Sequence, residues 1–357
     1  MIIKKKPQKV FVALSGGLDS AVAAGLLKKK GYLVSGAYMK LWVDEPKSDN
    51  YKEEEARKIA EIIGIPFYVF DFKDEFRKNI VDSFIEGYRK GLTPNPCVDC
   101  NQKIKFDLFW REAHKFGADL MATGHYVRIK KRKNIFILYK GVDPKKDQSY
   151  FLWRMNQEQL SRVIFPLGNH YKKNVRRLAK KWKLLVDNKR ESMEICFIPK
   201  YITDFLKKYL NMMPGNIMEE NSGKIIAQHN GLFFYTIGQR KRIGLSGGPY
   251  YVRNKDINHN LLIVTKDKKS LERKDFLCHQ TNLINIRTIK CPIRVRAKIR
   301  YSHKPAKAII DEKGDDIYDV IFKVKQSAIT PGQSVVFYRR SRLLGGGIIM
   351  SDQDVSI

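Results

Sequence analysis

Three short segments of this 357-residue chain hold side chains able to do phosphate or thiol chemistry. The first is Ser15-Gly16-Gly17-Leu18-Asp19-Ser20. Paired glycines let backbone N–H groups approach an anion closely, and the two serine hydroxyls add donors. A helix starting there would add about half a positive charge. The loop lacks the Gly-Lys-Ser/Thr ending of the Walker pattern, so a different phosphate cradle is expected. The second segment is Thr93-Pro94-Asn95-Pro96-Cys97-Val98-Asp99-Cys100-Asn101. Its prolines stiffen a loop, and Cys100 directly precedes a predicted helix whose dipole would favour the thiolate, so Cys100 reads as a nucleophile. Half a zinc site and a redox dithiol are the other readings of Cys-x-x-Cys. Cys278 and Cys291 have the wrong spacing to complete a zinc site, and no thioredoxin pattern surrounds the pair. The third segment is Glu191-Ser192-Met193-Glu194-Ile195-Cys196-Phe197-Ile198-Pro199. On its own, a cysteine between Ile195 and Phe197 reads as a core residue.

The elements around these segments alternate. Lys9–Leu14 reads as a buried strand, Ser20–Lys30 as a helix stopped by Gly31, and Tyr32–Met39 as the next strand. Tyr51–Ile63 places Ala56, Ile59, Ala60 and Ile63 on one helical face and stops at Gly64. Pro66–Phe72 is a strand, Lys73–Lys90 and Asn101–Phe116 are helices, and Asp119–Tyr126 is a fourth strand. This order predicts a doubly wound parallel sheet with the phosphate loop after its first strand. Val127–Lys140 reads as a basic hairpin turning near Lys133-Asn134. Beyond Pro199 the chain becomes rich in Gly, Pro and aromatic residues. From Leu283 it breaks into short strands, among them Arg294–Arg300, Ala306–Ile310, Asp319–Val324 and Ser334–Tyr338. A small mixed domain followed by a C-terminal β-barrel is expected, with boundaries at 1–199, 200–278 and 279–357.

Composition narrows the partners. Hydrophobic residues make up 43% of the chain, which is globular rather than disordered. No apolar run approaches the ~18 residues of a membrane span, and the basic start has too short an apolar run for a signal peptide. Five cysteines, an odd count, point to reduced thiols in a cytoplasmic setting. The net charge is +31, and Lys outnumbers Arg 46 to 22, a bias that also arises without a basic partner. Its distribution is more telling: net +3 over residues 1–100, +15 over 101–200, +12 over 201–300 and +1 over 301–357. An excess concentrated in the middle suits a polyanion such as RNA.

The phosphate loop resembles the PP-loop of the ATP pyrophosphatase superfamily, whose members split ATP between its α and β phosphates. TPNPCVDCNQKIKF, ATGHY, DQSYFL, ESMEICFIP, YTIGQRKRIGL and TPGQSVVFY then occur in the order seen in tRNA-specific 2-thiouridylases. The resemblance spans about residues 8–350. It implies ATP-dependent adenylation of the C2 oxygen of the wobble uridine and its replacement by sulfur. Cys196 would carry that sulfur as a persulfide, and Cys100 would be the nucleophile that releases it. ATP binding falls on Ala13, Leu14, Ser15, Gly16, Gly17, Leu18, Asp19 and Ser20, with Met39 and Gly124, and Asp19 would help hold Mg2+. tRNA contacts fall on Asn95, Pro96, Cys97, His125, Lys146, Asp147, Gln148, Arg300, Tyr301 and Gln333.

The implied partners are tRNA and a persulfide donor, a cysteine desulfurase or a sulfur-relay carrier, with no membrane and a monomeric chain. The sequence departs from the family at Cys97, where many relatives have Asp. It departs again at Glu191, Glu194 and Pro199, where Asp, Gly and Gly are common. Two other readings are a PP-loop enzyme forming 4-thiouridine or lysidine, and a non-catalytic tRNA-binding module. The paired cysteines argue against lysidine formation, the NPxxxCN loop and the β-rich C-terminus against 4-thiouridine, and the intact SGGLDS against a module without catalysis.

Overall fold

A computed structural model describes residues 7–44, 47–184, 195–198, 201–284 and 291–352, with side chains from 51 onward in the second helix. Glu191, Glu194 and Pro199 lie outside the described residues. The chain forms two compact units. One comprises Met1–Ile80, Cys97–Pro199 and Ser341–Leu344, the other Val81–Pro96, Lys200–Arg340 and Gly345–Ile357.

The first unit is built on a parallel sheet. Strands β1 (Lys9–Ala13), β2 (Leu33–Lys40), β3 (Phe67–Asp71) and β4 (Leu120–Ala122) stand in the order β3-β2-β1-β4, with Val163–Ile164 on the far edge. β1 is central because its residues are apolar on both faces: Val10, Phe11 and Val12 are fully buried. It pairs with β2 through Val10–Val34 and with β4 through Val10–Leu120. The strand order reverses between β1 and β4, and a ligand in such a sheet binds at the carboxyl ends of those two strands. Helix α1 (Leu18–Lys29) follows β1, and α2 (Lys47–Ile63) follows β2. α1 packs through Ala21, Val22, Ala24 and Leu27, and through Lys29 lying 4.6 Å from the ring centre of Trp182. That contact seats helix Lys172–Lys181 against α1.

Two predicted helices are interrupted. The run Lys73–Lys90 holds a π-turn at Arg77–Val81 between α-helices Lys73–Phe76 and Asp82–Arg89. The helix expected from Asn101 begins five residues earlier, at Pro96, a proline suited to the first helical position. It runs as α-helix over Pro96–Asp99, π-helix over Cys100–Leu108 and α-helix over Phe109–Lys115.

The second unit contains two β systems. A four-stranded sheet has the order Tyr251–Asp256, Leu261–Thr265, Gly215–Glu219, Ile225–His229, and packs Val252, Leu262, Val264 and Ile217 into one core. Six antiparallel strands then close a barrel. Their order is Glu272–Leu283, Ile317–Ser327, Ala306–Gly314, Ile293–Lys298, Ser334–Arg339 and Arg342–Ile349, and the last pairs back onto the first through Cys278–Ile349. Ile293, Val295 and Ala297 point inward while Arg294 and Arg296 face out, the period-two alternation of a filled small barrel.

One side chain in the four-stranded sheet sets a pH dependence. Lys255 is buried, and its Nζ donates to the Tyr235 carbonyl at 3.2 Å. Burial pushes its pKa down from 10.5 to about 8. Between those values the unfolded chain binds more protons than the folded one, so stability rises with pH across that window. Below pH 8 the full cost of burying the ammonium is present. Lys255→Met is therefore expected to stabilise the protein by about 3 kcal/mol at pH 7, with the gain shrinking as pH rises from 8 to 10.5. Urea unfolding at pH 7, 9 and 10.5 checks this; a gain that does not change with pH would assign the effect to packing instead.

Candidate active site

The phosphate loop sits at the reversal between β1 and β4. Gly16 has φ +73°, a conformation that glycine adopts without a Cβ penalty. Gly17 caps α1 with extended backbone and no side-chain hydrogen bond, so the first amides of the helix remain donors for an anion. The hydroxyl of Ser20 accepts from the Ser15 amide at 3.2 Å and donates to the Gly17 carbonyl at 3.0 Å, which fixes the loop from within. Gly124 follows β4 and lies so close to α1 that a Cβ would sit 2.9 Å from the Ser20 amide nitrogen and the Asp19 carbonyl carbon. Leu14 donates its amide to Ala37, and Met39 stands two residues further along β2, at the same carboxyl edge. Ala13 through Ser20, Met39 and Gly124 thus come to one end of one sheet. An uncapped helix N-terminus against a glycine-lined cradle fits a nucleotide phosphate.

Asp19 is already engaged. Lys172 Nζ donates to both its carboxylate oxygens, at 2.8 and 2.7 Å, and Tyr126 Oη donates at 2.6 Å. The Lys172 side chain is only 9% exposed, against 32% for Asp19, so the ammonium is enclosed while the carboxylate keeps an open side. Asp143 Oδ2 accepts from the Lys172 amide at 3.0 Å and holds the helix start in place.

The thiols lie in the same unit. Cys100 is buried, Cys97 is half-buried and Cys196 is exposed. Cys196 acts electrostatically on both Cys97 and Cys100, so three thiols separated by up to 99 positions share one neighbourhood. Phe197 anchors the Cys196 segment: its ring meets buried Phe76 edge-on at 5.7 Å. Cys196 also feels Lys52 of α2, whose carbonyl would be 2.9 Å from a Cβ on Gly16. The persulfide candidate therefore stands near the helix bordering the phosphate loop.

The expected low pKa of Cys100 is not found. Because the helix begins at Pro96, Cys100 sits inside it rather than ahead of its N-terminus, and burial drives its pKa up to about 12. Burial likewise raises Cys97 to about 11, and the protein packed around Cys196 pushes its pKa upward although the residue still reaches solvent. Lys105 opposes the rise at all three. His125 shares a 2.7 Å hydrogen bond with Thr123 Oγ1 and lies 5.7 Å from the Phe106 ring. Burial and Lys105 lower its pKa to about 3, so its imidazole is neutral.

Several expected tRNA contacts have protein partners. Asp147 is buried and accepts from the amides of Gly141 and Ser149 and from the Ser149 hydroxyl. Gln148 Oε1 accepts from the Tyr126 amide at 3.0 Å, and half-buried Lys146 donates its amide to Asp143. Within the second unit, Gln333 Nε2 donates to the Thr93 carbonyl at 2.6 Å, and the Thr93 amide donates to Pro331. Arg300 donates to the Ala328 carbonyl and to Thr330 Oγ1, and Tyr301 lies under Lys298 at 5.0 Å. Gln333 thereby holds the loop that carries Asn95 and Pro96, and Arg300 fastens the Ala328–Thr330 segment that precedes Pro331.

Comparison with known proteins agrees with this arrangement. Residues 8–200 match the family described as tRNA methyl transferase HUP domain, 203–266 its PRC-barrel domain and 273–349 an aminomethyltransferase β-barrel domain. The tRNA-specific 2-thiouridylase MnmA of Clostridioides difficile is 43% identical over 359 residues, covering 96% of this chain and 98% of that protein. MnmA 2 of Clostridium tetani is 44% identical over 365 residues, covering 98% and 99%. The chain belongs to the tRNA-specific 2-thiouridylase family.

For a 2-thiouridylase, the residues that sequence reasoning passed over are cations and their partners. Tyr126 on Asp19 and Lys105 among the thiols fall inside ATGHY and TPNPCVDCNQKIKF but have no role assigned from sequence, and Lys172 on Asp19 carries no motif of its own. Lys172 stands in His170-Tyr171-Lys172-Lys173, one lysine in a basic stretch. Among the described residues, no group of three or more His, Cys, Asp or Glu is arranged to hold a metal ion, and no helix is long and apolar enough to cross a membrane.

Proposed function

We propose that this chain catalyses the ATP-dependent 2-thiolation of the wobble uridine of tRNA, drawing sulfur from a persulfide on Cys196. The observation that carries the reading is the convergence of Cys196 with Cys100 in the unit that holds the phosphate loop. ATP supplies AMP as a leaving group on the C2 oxygen, which is otherwise a poor one. The amides of Gly17 through Ser20 would bind its phosphates, Met39 would lie on the adenine side, and Asp19, with one side open, would hold Mg2+ to neutralise phosphate charge. The Cys100 thiolate attacks Sγ of Cys196, the outer sulfur leaves as sulfide, and a Cys100–Cys196 disulfide remains. Sulfide adds at C2 and AMP departs. An external thiol then reduces the disulfide, and a cysteine desulfurase or a sulfur carrier reloads Cys196.

The chain divides in this reading into an ATP and thiol domain over 1–199, a central domain over 200–278 and a barrel over 279–357. Asn95, Pro96, Cys97, His125, Lys146 and Tyr301 face tRNA, and Asp147, Gln148, Arg300 and Gln333 order the segments that do. The test is single-turnover thiolation of unmodified tRNA with ATP, Mg2+ and a persulfide donor, read by nucleoside mass spectrometry. 2-Thiouridine at the wobble position is expected; 4-thiouridine, lysidine or no product would reject the reading. tRNA affinity should fall roughly 10³-fold or more between 50 and 200 mM salt if the basic residues of 101–300 meet phosphates. A flat salt response would detach the +31 charge from RNA binding.

A further inference from the structure

Cys100 opens a π-helix, and Lys105 lies five residues further along it. On an α-helix, a residue five positions on points about 140° away from the first. The i→i+5 hydrogen bonds of a π-helix widen the turn and rotate that residue back over the first. The irregular segment Cys100–Leu108 thus turns Lys105 toward the thiol side of its own helix. Lys105 is half-buried, and among the described residues it forms no ion pair and no hydrogen bond. The other charge on this helix start is spent: Asp99 is paired with Arg154. The groups that feel the Lys105 charge are Cys97 and Cys100 on its own helix, Cys196 on a separate segment and the neutral imidazole of His125. Lys52 adds a second positive charge near Cys196.

An unpaired ammonium in a partly desolvated cluster of thiols has one electrostatic use, which is to hold an anion there. We propose that Lys105 is a positioning residue for sulfur transfer, the fixed positive charge that holds the sulfur anions at Cys100 and Cys196. The inference rests on the sulfur-transfer reading above. It explains how a buried nucleophile works without the helix dipole. Two sulfur anions repel each other when Cys100 approaches a Cys196 persulfide, and a cation between them offsets that repulsion. The neutrality of His125 leaves that role to Lys105.

The test reads thiol ionisation in the free protein, with neither ATP nor tRNA present. Iodoacetamide alkylation of Cys196 is followed against pH by peptide mass spectrometry, with Cys291 of the second unit as the internal reference. Lys105→Met should slow alkylation of Cys196 about fivefold or more at pH 7.5 and move its pH midpoint upward, while Lys105→Arg keeps the wild-type profile. The difference should shrink in 1 M salt, where charges are screened beyond about 3 Å. Lys105→Gln carries the same comparison if the methionine variant does not fold. A Lys105→Met or Lys105→Gln profile that superimposes on wild type overturns the inference. If the shift appears but the wild-type protein does not thiolate tRNA, the charge role of Lys105 is supported and the proposed reaction alone is rejected.

Discussion

Cys100→Ser and Cys196→Ser are each expected to reduce wobble-uridine thiolation by on the order of 10³-fold or more while pyrophosphate release from ATP in the presence of tRNA continues. Adenylation needs the phosphate loop and the uridine oxygen but no thiol, so the two half-reactions separate. Groups that act as a unit lose activity non-additively, and the double variant should therefore be no slower than either single one. Cys97→Ser is the contrasting case. Cys97 is coupled electrostatically to Cys196, but the family resemblance implies Asp at that position in many members, so a thiol there is not expected to be what the reaction demands. The Cys97 variant should keep thiolation within about tenfold. Single-turnover thiolation alongside pyrophosphate release checks all four proteins, and a Cys97 variant as dead as Cys100→Ser would move the nucleophile assignment to Cys97.

The same argument fixes a pH dependence. With burial pushing the Cys100 pKa up to about 12, the thiol form dominates throughout the neutral range in the free protein. Deprotonation becomes more favourable as pH rises, so alkylation of Cys100 should climb about tenfold per pH unit from 7 to 10. A plateau below pH 9 would show that the thiol is ionised by something that the free protein already contains.

The parallel sheet was legible because its strands are short apolar runs, its helices carry a 3.6-residue period, and glycines mark where each helix stops. The barrel was legible for the corresponding reason, with alternating strands such as Ile293–Lys298 separated by turns. What periodicity does not carry is the departure from it. A π-helix and an α-helix share composition, so Cys100 was placed before a helix instead of inside one, and the predicted sign of its pKa shift was wrong. Partners distant in sequence were equally hidden. Lys172 reaches Asp19 across 153 positions, and Gln333 reaches Thr93 across 240, and neither pairing has a local signature. The sequence motifs located which loops matter, and the contacts show which neighbours hold them.

Asp19→Asn should destabilise the protein more than Lys172→Met, although both break the same ion pair. The asymmetry follows from exposure. Removing the carboxylate leaves an ammonium that is 9% exposed without its counter-charge, and a buried unpaired charge costs about 3–5 kcal/mol. Removing the ammonium leaves a carboxylate that is 32% exposed, hydrated on its open side and still bonded to Tyr126, so the cost should be about 1 kcal/mol. The double variant Asp19→Asn with Lys172→Met should then recover most of the loss of the first, since the stranded charge is gone. Urea unfolding of the three variants measures the cycle, and equal single losses that simply add would show that the pair is not coupled. Activity should separate from stability in the same set. If Lys172 serves by holding Asp19 at the mouth of the phosphate loop, every variant, the restabilised double one included, should lose pyrophosphate release by on the order of 10²-fold, a magnitude typical of removing one preorganised charge from a reacting site. Recovery of activity along with stability in the double variant would instead make the pair a structural clasp between α1 and the helix that begins at Lys172.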